Sequence, residues 1–227
     1  NWQKLQPDDV RVLRVKKQWM AEAIEAVLRR GGEDVTVAIE AAQSLALTSA
    51  LPQLVLMAEA SASRAIRGQA TQAVLAMVAP LGEDARADRS RSSVRGPALA
   101  RLADSVRRFS MHRNEQLVDA FLLVSSWGDA DLRQMIGGDG AAMDLICKRL
   151  STATDANIID LLAGFIRRRN VHQRISRIIR QRQDDPFRDA LLRKIGVEPT
   201  GTVLKNFRDI RIPECCQGGE ELIEKLA

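Results

Sequence analysis

Apolar residues recur at intervals of three and four positions along almost the whole chain, and this spacing constrains the fold more than any other feature. The first such run contains Val10, Leu13, Ile24, Val27 and Leu28. This spacing places side chains on one face of an α-helix, whereas a half-buried strand requires strict alternation of apolar and polar residues. No stretch alternates in this way over a useful length. The sequence therefore predicts an all-α protein.

The choice of apolar residues supports helices. Aromatic residues make up only 4% of the 227 residues, and tyrosine is absent. A core built from Leu, Ile, Val, Ala and Met suits packed helices, because the small and unbranched residues among them lose little side-chain freedom there. β-Sandwiches depend more on aromatic and β-branched residues. The length is ample for one large core or for an elongated array of helices.

Capping residues and helix breakers divide the chain into about twelve or thirteen predicted helices. One helix is expected to span 35–50, and another is expected to end near Pro80 and Gly82. Pro52 and Pro186 are expected in first turns, where proline is tolerated. Seven residues are predicted to cap the starts of helices: Asp34, Ser63, Asn114, Asp129, Asp155, Asn170 and Asp185.

The predicted domain organisation is simple. Residues 1–8 are expected to form a lead-in, and residues 9–227 a single helical-repeat domain. The stretch "GEDARADRSRSSVRGP" has no apolar periodicity, so it predicts a polar loop at about 82–96. The segment "IPECCQGG" is predicted to be a turn, and "EELIEKLA" a last short helix.

Two segments of the first half are similar to each other. "AIEAAQSLALTSA" at 38–50 matches "AIRGQATQAVLAMVA" at 65–79 in its Ala-Ile start, its small residues and its Leu/Val cluster. The order of an apolar helix, a turn, a short apolar helix and an Arg-led helix of small residues resembles HEAT and armadillo-type repeats. The resemblance implies a right-handed α-solenoid of stacked antiparallel helix pairs, in which each pair is covered by the next. It also implies function by a curved, extended surface. The predicted function is therefore that of a non-enzymatic scaffold that binds another macromolecule along its concave face. A globular helical bundle is the alternative fold.

The stretch "FIRRRNVHQRISRIIRQRQDD" at 165–185 is the strongest candidate for a binding surface. Residues 161–212 contain 13 Lys or Arg against 5 Asp or Glu, in a chain whose net charge is +5. Such a local excess suggests an anionic partner. The predicted anion-facing residues are Arg167, Arg168, Arg169, Arg174, Arg177 and Arg180.

Three interpretations of this basic stretch remain open. Arg174, Arg177 and Arg180 can form the solvated face of a helix whose apolar stripe contains Ile175 and Ile179. A protein partner is the preferred binding interpretation. A nucleic acid is the alternative, although the stretch has few aromatic residues to stack on bases.

Catalytic patterns are poor, and neither a cofactor nor a metal is predicted. His112 and His172 lie beside helix ends, where a structural role is expected. Some DNA-repair glycosylases with HEAT-like folds use Trp and Asp on a basic surface, so "WGDAD" at 127–131 is where such an enzyme's site would lie. A capping role for Asp129 is the preferred interpretation.

Cysteine usage and hydropathy bear on the compartment. The adjacent pair Cys215 and Cys216, with Cys147, is not a disulfide framework and does not match zinc-ligand spacing. A reducing compartment is expected, and hence the cytoplasm. No apolar run approaches the length of about 18 residues that a membrane span needs, so a membrane partner is not expected.

Overall fold

A computed structural model describes residues 7–86, 94–182, 184–196 and 198–211, and these residues form helices and connecting turns without a strand. The all-α prediction is confirmed. The thirteen α-helices of the described residues are α1 (Pro7–Arg30), α2 (Val35–Ser44), α3 (Leu51–Ala60), α4 (Arg64–Arg86), α5 (Arg95–Arg107), α6 (Phe109–His112), α7 (Glu115–Val124), α8 (Ala130–Ile136), α9 (Ala141–Thr152), α10 (Ala156–Gly164), α11 (Gln173–Gln181), α12 (Asp185–Ile195) and α13 (Gly201–Asp209). Two short 3-10 helices cover Thr48–Ala50 and Phe165–Arg167.

The chain divides into two compact units, residues 1–78 and 79–227. In the first unit, α1 packs against α2 and α3. Leu28, Ile39 and Leu54 are almost completely buried there. The Gln53 side chain also donates a hydrogen bond from α3 to the carbonyl of Leu28, near the end of α1. Apolar burial between short helices therefore accounts for this unit.

In the second unit, helices contact their direct neighbours and also helices two or three places away along the chain. Helix α10 packs against α7 and α12, while α9 packs against α7, α8 and α11. Helix α5 packs against α7, and α13 packs against the 3-10 helix at 165–167. All five phenylalanines of the chain are buried inside this unit: Phe109, Phe121, Phe165, Phe187 and Phe207.

Several predicted helix starts are confirmed. Asn114 accepts a hydrogen bond from the Gln116 amide, and Asp155 accepts from Asn157 and Ile158. Both residues therefore satisfy amides that lack partners within the helix. Pro52 lies in the first turn of α3, as expected.

The predicted end of α4 is wrong. The helix continues through Pro80 to Arg86, although proline cannot donate a backbone hydrogen bond. Val78 and Leu81, on either side of Pro80, are buried, so apolar packing stabilises the helix despite the lost bond. Residues 87–93 of the predicted 82–96 loop lie outside the described residues.

Two other boundaries also differ from prediction. Helix α2 ends at Ser44, because Ala46 adopts a left-handed conformation with φ of 47°. Asn170 does not cap α11; it has φ of 54°, which asparagine tolerates better than most residues. His172 caps this helix instead, and its side chain accepts from the Arg174 amide.

Some predictions concern residues that the structure does not describe. Residues 1–6 of the predicted lead-in lie outside the described residues, as do the predicted turn and last helix at 212–227. Among the helices that are described, none is both long enough and apolar enough to cross a bilayer.

Candidate functional site

A groove lies where α11 and α13 meet the turn that precedes α11. It consists of two adjoining hollows of about 520 and 380 Å³. Both hollows are lined by Val171, Ser176, Asp209 and Ile210, so they are two lobes of one groove. Volumes of this size are typical of surfaces that hold a small ligand or a short chain segment.

The polar lining of this groove is mainly cationic. Arg169 and Lys205 line the larger lobe, and Arg177 and Arg180 line the smaller one. Asp209 is the single carboxylate among the described lining residues. Four positive groups therefore share the groove with one negative group. We call Arg169, Arg177, Arg180 and Lys205 the groove cations.

The groove cations have no partner within the described part of the chain. None of the four side chains forms a hydrogen bond or an ion pair with a described residue. Arg177 and Arg180 are exposed and lie one turn apart on α11. Asp209 shares the groove with these groups, but no described carboxylate forms a direct ion pair with any of them.

Arg174 was predicted to face an anion with Arg177 and Arg180, but it points away from the groove. At 100° per residue, Arg174 and Arg180 lie on opposite flanks of the exposed side of α11. The Arg174 guanidinium lies 3.1 Å from Asp144 and 3.6 Å from Asp139, next to α9. Of the arginines of α11, Arg174 therefore forms ion pairs within the chain, whereas Arg177 and Arg180 line the groove.

Arg167 and Arg168 also lie outside the groove lining. The Arg167 side chain donates to the Lys194 carbonyl at the end of α12, over 2.7 Å. Arg168 is half-buried, and its desolvation together with the nearby charge of Arg133 lowers the pKa of its guanidinium. Of the six predicted residues, the structure therefore brings Arg169, Arg177 and Arg180 together.

The buried side-chain amide of Asn206, one of the groove's lining residues, forms hydrogen bonds to the backbone beside the groove. The Asn206 side chain is 6% exposed and donates to the carbonyls of Ile166 and Arg168, over 2.7 and 2.5 Å. These bonds connect α13 to the backbone that carries Arg169. Because a buried amide without partners is costly, the two bonds fix this helix against the turn.

Sequence reasoning missed Lys205, Ser176, Asn206 and Asp209. Helix α13 was predicted, and Thr202, Lys205 and Asp209 recur on one face of it. This polar face was a usable signal for a surface. The sequence did not indicate which helix that face lies beside, because the pairing of α13 with the turn at 166–171 depends on tertiary contacts.

The residues of "WGDAD" are engaged in structural contacts. Asp129 accepts from the buried Arg95 guanidinium at 2.5 Å and from the Ser126 amide at 2.6 Å. Asp129 stands at the start of α8, as predicted, but its side chain makes no capping bond to that helix. Asp131 pairs with Arg107 at 2.5 Å. The indole of Trp127 lies so close to Gly164 that a Cβ there would come within 2.4 Å of it.

The histidines and the described cysteine also have local contacts. His112 accepts from the Asn114 amide through Nδ1, and its Nε2 lies 3.0 Å from the Ser105 carbonyl. Burial raises the pKa of the Cys147 thiol, and the nearby Arg174 only partly offsets this. The described residues include no group of three His, Cys, Asp or Glu side chains placed to hold a metal ion.

Comparisons with models of protein families, with curated proteins and with solved structures find no match to this chain.

Proposed function

We propose that this chain is a non-enzymatic helical scaffold that binds a protein partner, and that the groove between α11 and α13 holds an acidic segment of that partner. The observation that carries the proposal is the set of four groove cations that have no hydrogen-bond or ion-pair partner among the described residues. Elsewhere in the second unit, Arg95, Arg149 and Arg182 are each bonded to carboxylates of the same chain. Arginines that are not used internally are free to bind carboxylates of another molecule.

The lining of the groove favours a peptide over a nucleic acid. Val171 and Ile210 offer apolar contacts between the charged groups, and no aromatic residue is present among the described lining residues. Single-stranded nucleic acids bind largely by stacking on aromatic side chains. Asp209 would also repel a continuous row of phosphates, whereas a peptide can place a neutral residue beside it.

The repeat architecture belongs to the same proposal. Contacts of α10 with α7 and α12, and of α9 with α7 and α11, are the kind that stacked helix pairs make. We propose that the chain is a HEAT-like α-solenoid on this basis and on the internal similarity of 38–50 and 65–79. We also propose that the chain acts in the cytoplasm, because its cysteine usage is typical of a protein from a reducing compartment.

Fluorescence anisotropy with a labelled poly-glutamate peptide and a labelled DNA duplex tests the proposed function. Changing Arg177→Glu together with Arg180→Glu should weaken peptide binding by at least about tenfold, since two attractions become repulsions. The matched control is Arg64→Glu with Arg67→Glu, an exposed pair on α4 with the same spacing and the same change in net charge. This control should change the affinity less than about twofold.

Two outcomes would contradict the proposal. Equal loss of peptide binding in the groove variant and the control would show a non-specific effect of net charge. Tighter binding of duplex DNA than of the peptide, lost in the groove variant and falling steeply with salt, would favour a nucleic-acid partner instead.

A further inference from the structure

The charges of the groove follow a definite order across its two lobes. Arg169 and Lys205 line the larger lobe alone, and Arg177 and Arg180 line the smaller lobe alone. Asp209 lines both lobes, and no other charged residue among the described lining residues does so. The groove therefore presents positive charge in each lobe and negative charge where the two lobes meet.

Contacts within the described part of the chain do not account for Asp209. Its side chain is exposed and forms neither a hydrogen bond nor an ion pair with any residue that the structure describes. Other aspartates of the same unit are paired, since Asp160 lies 2.6 Å from Lys194 and Asp184 lies 2.5 Å from Arg182. The carboxylate of Asp209 is therefore available to a group of another molecule.

The place of Asp209 in α13 also argues against a structural role. It is the last residue of the helix. The free carbonyls at this end give it a partial negative charge, so a carboxylate here is less favourable than a cation or a neutral side chain. Asp209 therefore does not stabilise the helix that carries it.

The complement of this groove is a segment with two acidic groups and a cation between them. A segment of uniform negative charge would place a carboxylate against Asp209, and such like-charge contacts discriminate against a ligand. A lysine or arginine at this point would pair with Asp209 instead. Val171 and Ile210 also line both lobes, so they can contact the aliphatic stem of that side chain.

We propose that Asp209 is a specificity-determining residue of the groove, and that it selects a partner segment in which a lysine or arginine lies between two groups of acidic residues. This inference rests on the proposed function, because it names the charge pattern of the segment that the groove binds. The groove cations bind the acidic groups, one pair in each lobe, and Asp209 binds the cation between them.

Two labelled peptides test this inference by fluorescence anisotropy. Each has a run of glutamates on both sides of a central residue, which is lysine in one peptide and glutamine in the other. Attraction to the groove cations alone favours the glutamine peptide, because it is the more negative of the two. The original chain should nevertheless bind the lysine peptide about threefold tighter.

Asp209→Asn should reverse this preference, so that the glutamine peptide binds tighter. The two peptides and the two chains form a double-mutant cycle, which isolates the pairing of Asp209 with the lysine. The matched control is Asp34→Asn, an exposed aspartate of the first unit with the same change in net charge. This control should keep the preference of the original chain.

Failure of this inference is distinguishable from failure of the proposed function. The inference is wrong if the original chain prefers the glutamine peptide, if Asp209→Asn keeps the preference for lysine, or if Asp34→Asn loses it equally. The proposed function still stands in these cases, provided that Arg177→Glu with Arg180→Glu weakens the binding of both peptides. If neither peptide binds the original chain, both proposals are wrong.

Discussion

Arginines within α11 and the arginine immediately after it behave in opposite ways. Arg182, immediately after the helix, is 8% exposed and saturated with partners. It donates to the Leu150 carbonyl at 2.9 Å, to the Ala153 carbonyl and to Asp184 at 2.5 Å, and it lies 5.6 Å from the ring centroid of Phe187. Arg177 and Arg180, within the same helix, are exposed and have no described partner.

The difference teaches what an arginine-rich stretch can mean. Arg182 connects the end of α9 to the start of α12, so it is a structural residue. Arg95 has the same role, because it bonds the Val124 carbonyl and Asp129. The groove cations are also positively charged, but they have no hydrogen-bond or ion-pair partner within the part of the chain that the structure describes. The count of arginines in 165–185 therefore says less about binding than the partners of each one do.

The largest expected effect comes from Arg182→Met. It leaves two carbonyls without a donor and removes the partner of Asp184, so the free energy of unfolding should fall by about 3 kcal/mol or more. Arg180→Met is the matched control and should change it by less than about 0.5 kcal/mol. Urea-induced unfolding of both variants measures the difference. An equal change in the free energy of unfolding for both variants would show that Arg182 is no more important for stability than Arg180.

Asn206→Ala tests whether a residue with internal hydrogen bonds also affects binding in the groove, because Asn206 lies beside the groove. The carbonyls of Ile166 and Arg168 lose their donor, so the free energy of unfolding should fall by about 1 to 3 kcal/mol. Peptide affinity should fall with it, since Arg169 is carried by the same turn. Thr202→Ala, also in the groove lining, is the control for affinity. A lower free energy of unfolding with unchanged peptide affinity would show that the hydrogen bonds of Asn206 do not position Arg169.

The smallest expected effect is on the pH dependence of stability. Burial opposes ionisation of Asp184, but hydrogen bonds from Arg182 and the Phe187 amide outweigh it, so the pKa of this carboxyl lies below its ordinary value. The resulting stabilisation is present above the unfolded-state pKa of about 3.9 and is lost as pH falls through the lower folded-state pKa. Because Asp184 is partly exposed, the gain should be under about 1 kcal/mol.

Acid titration of the unfolding midpoint, compared with that of Asp184→Asn, checks this last prediction. The original chain should be the more stable of the two at neutral pH, and the difference should shrink below about pH 4. If the difference in stability between the original chain and Asp184→Asn stayed the same at lower pH, the negative charge of Asp184 would not contribute to stability. Asp119 provides a contrast, because burial raises its pKa despite the bond from Arg149.

Local signals in the sequence identified most helices. The spacing of apolar residues predicted the all-α fold, and Asn114, Asp155 and Pro52 marked helix starts correctly. These predictions succeeded because a cap or a first-turn proline acts on amides within a few residues. Pro80 was misjudged because burial of Val78 and Leu81, which a local rule does not include, outweighs one lost hydrogen bond.

The candidate site was predictable only in part. The charge of the basic stretch predicted six anion-facing arginines. Arg169, Arg177 and Arg180 line the groove, whereas Arg167, Arg168 and Arg174 lie outside its lining. Residues 30 positions apart decide this outcome: Asp144 pairs with Arg174, whereas no described carboxylate pairs with Arg177. Lys205 lines the site because α13 packs against the 3-10 helix at 165–167, and Asn206 bonds α13 to the carbonyls of Ile166 and Arg168.

The sequence by itself determined that this protein is helical, that it carries a basic region, and where most of its helices begin. Only the tertiary structure decided which arginines are internal connectors and which line a groove. The physical reason is that helix formation depends on neighbours within about one turn. The pairing of a charged side chain depends instead on which distant helix packs beside it.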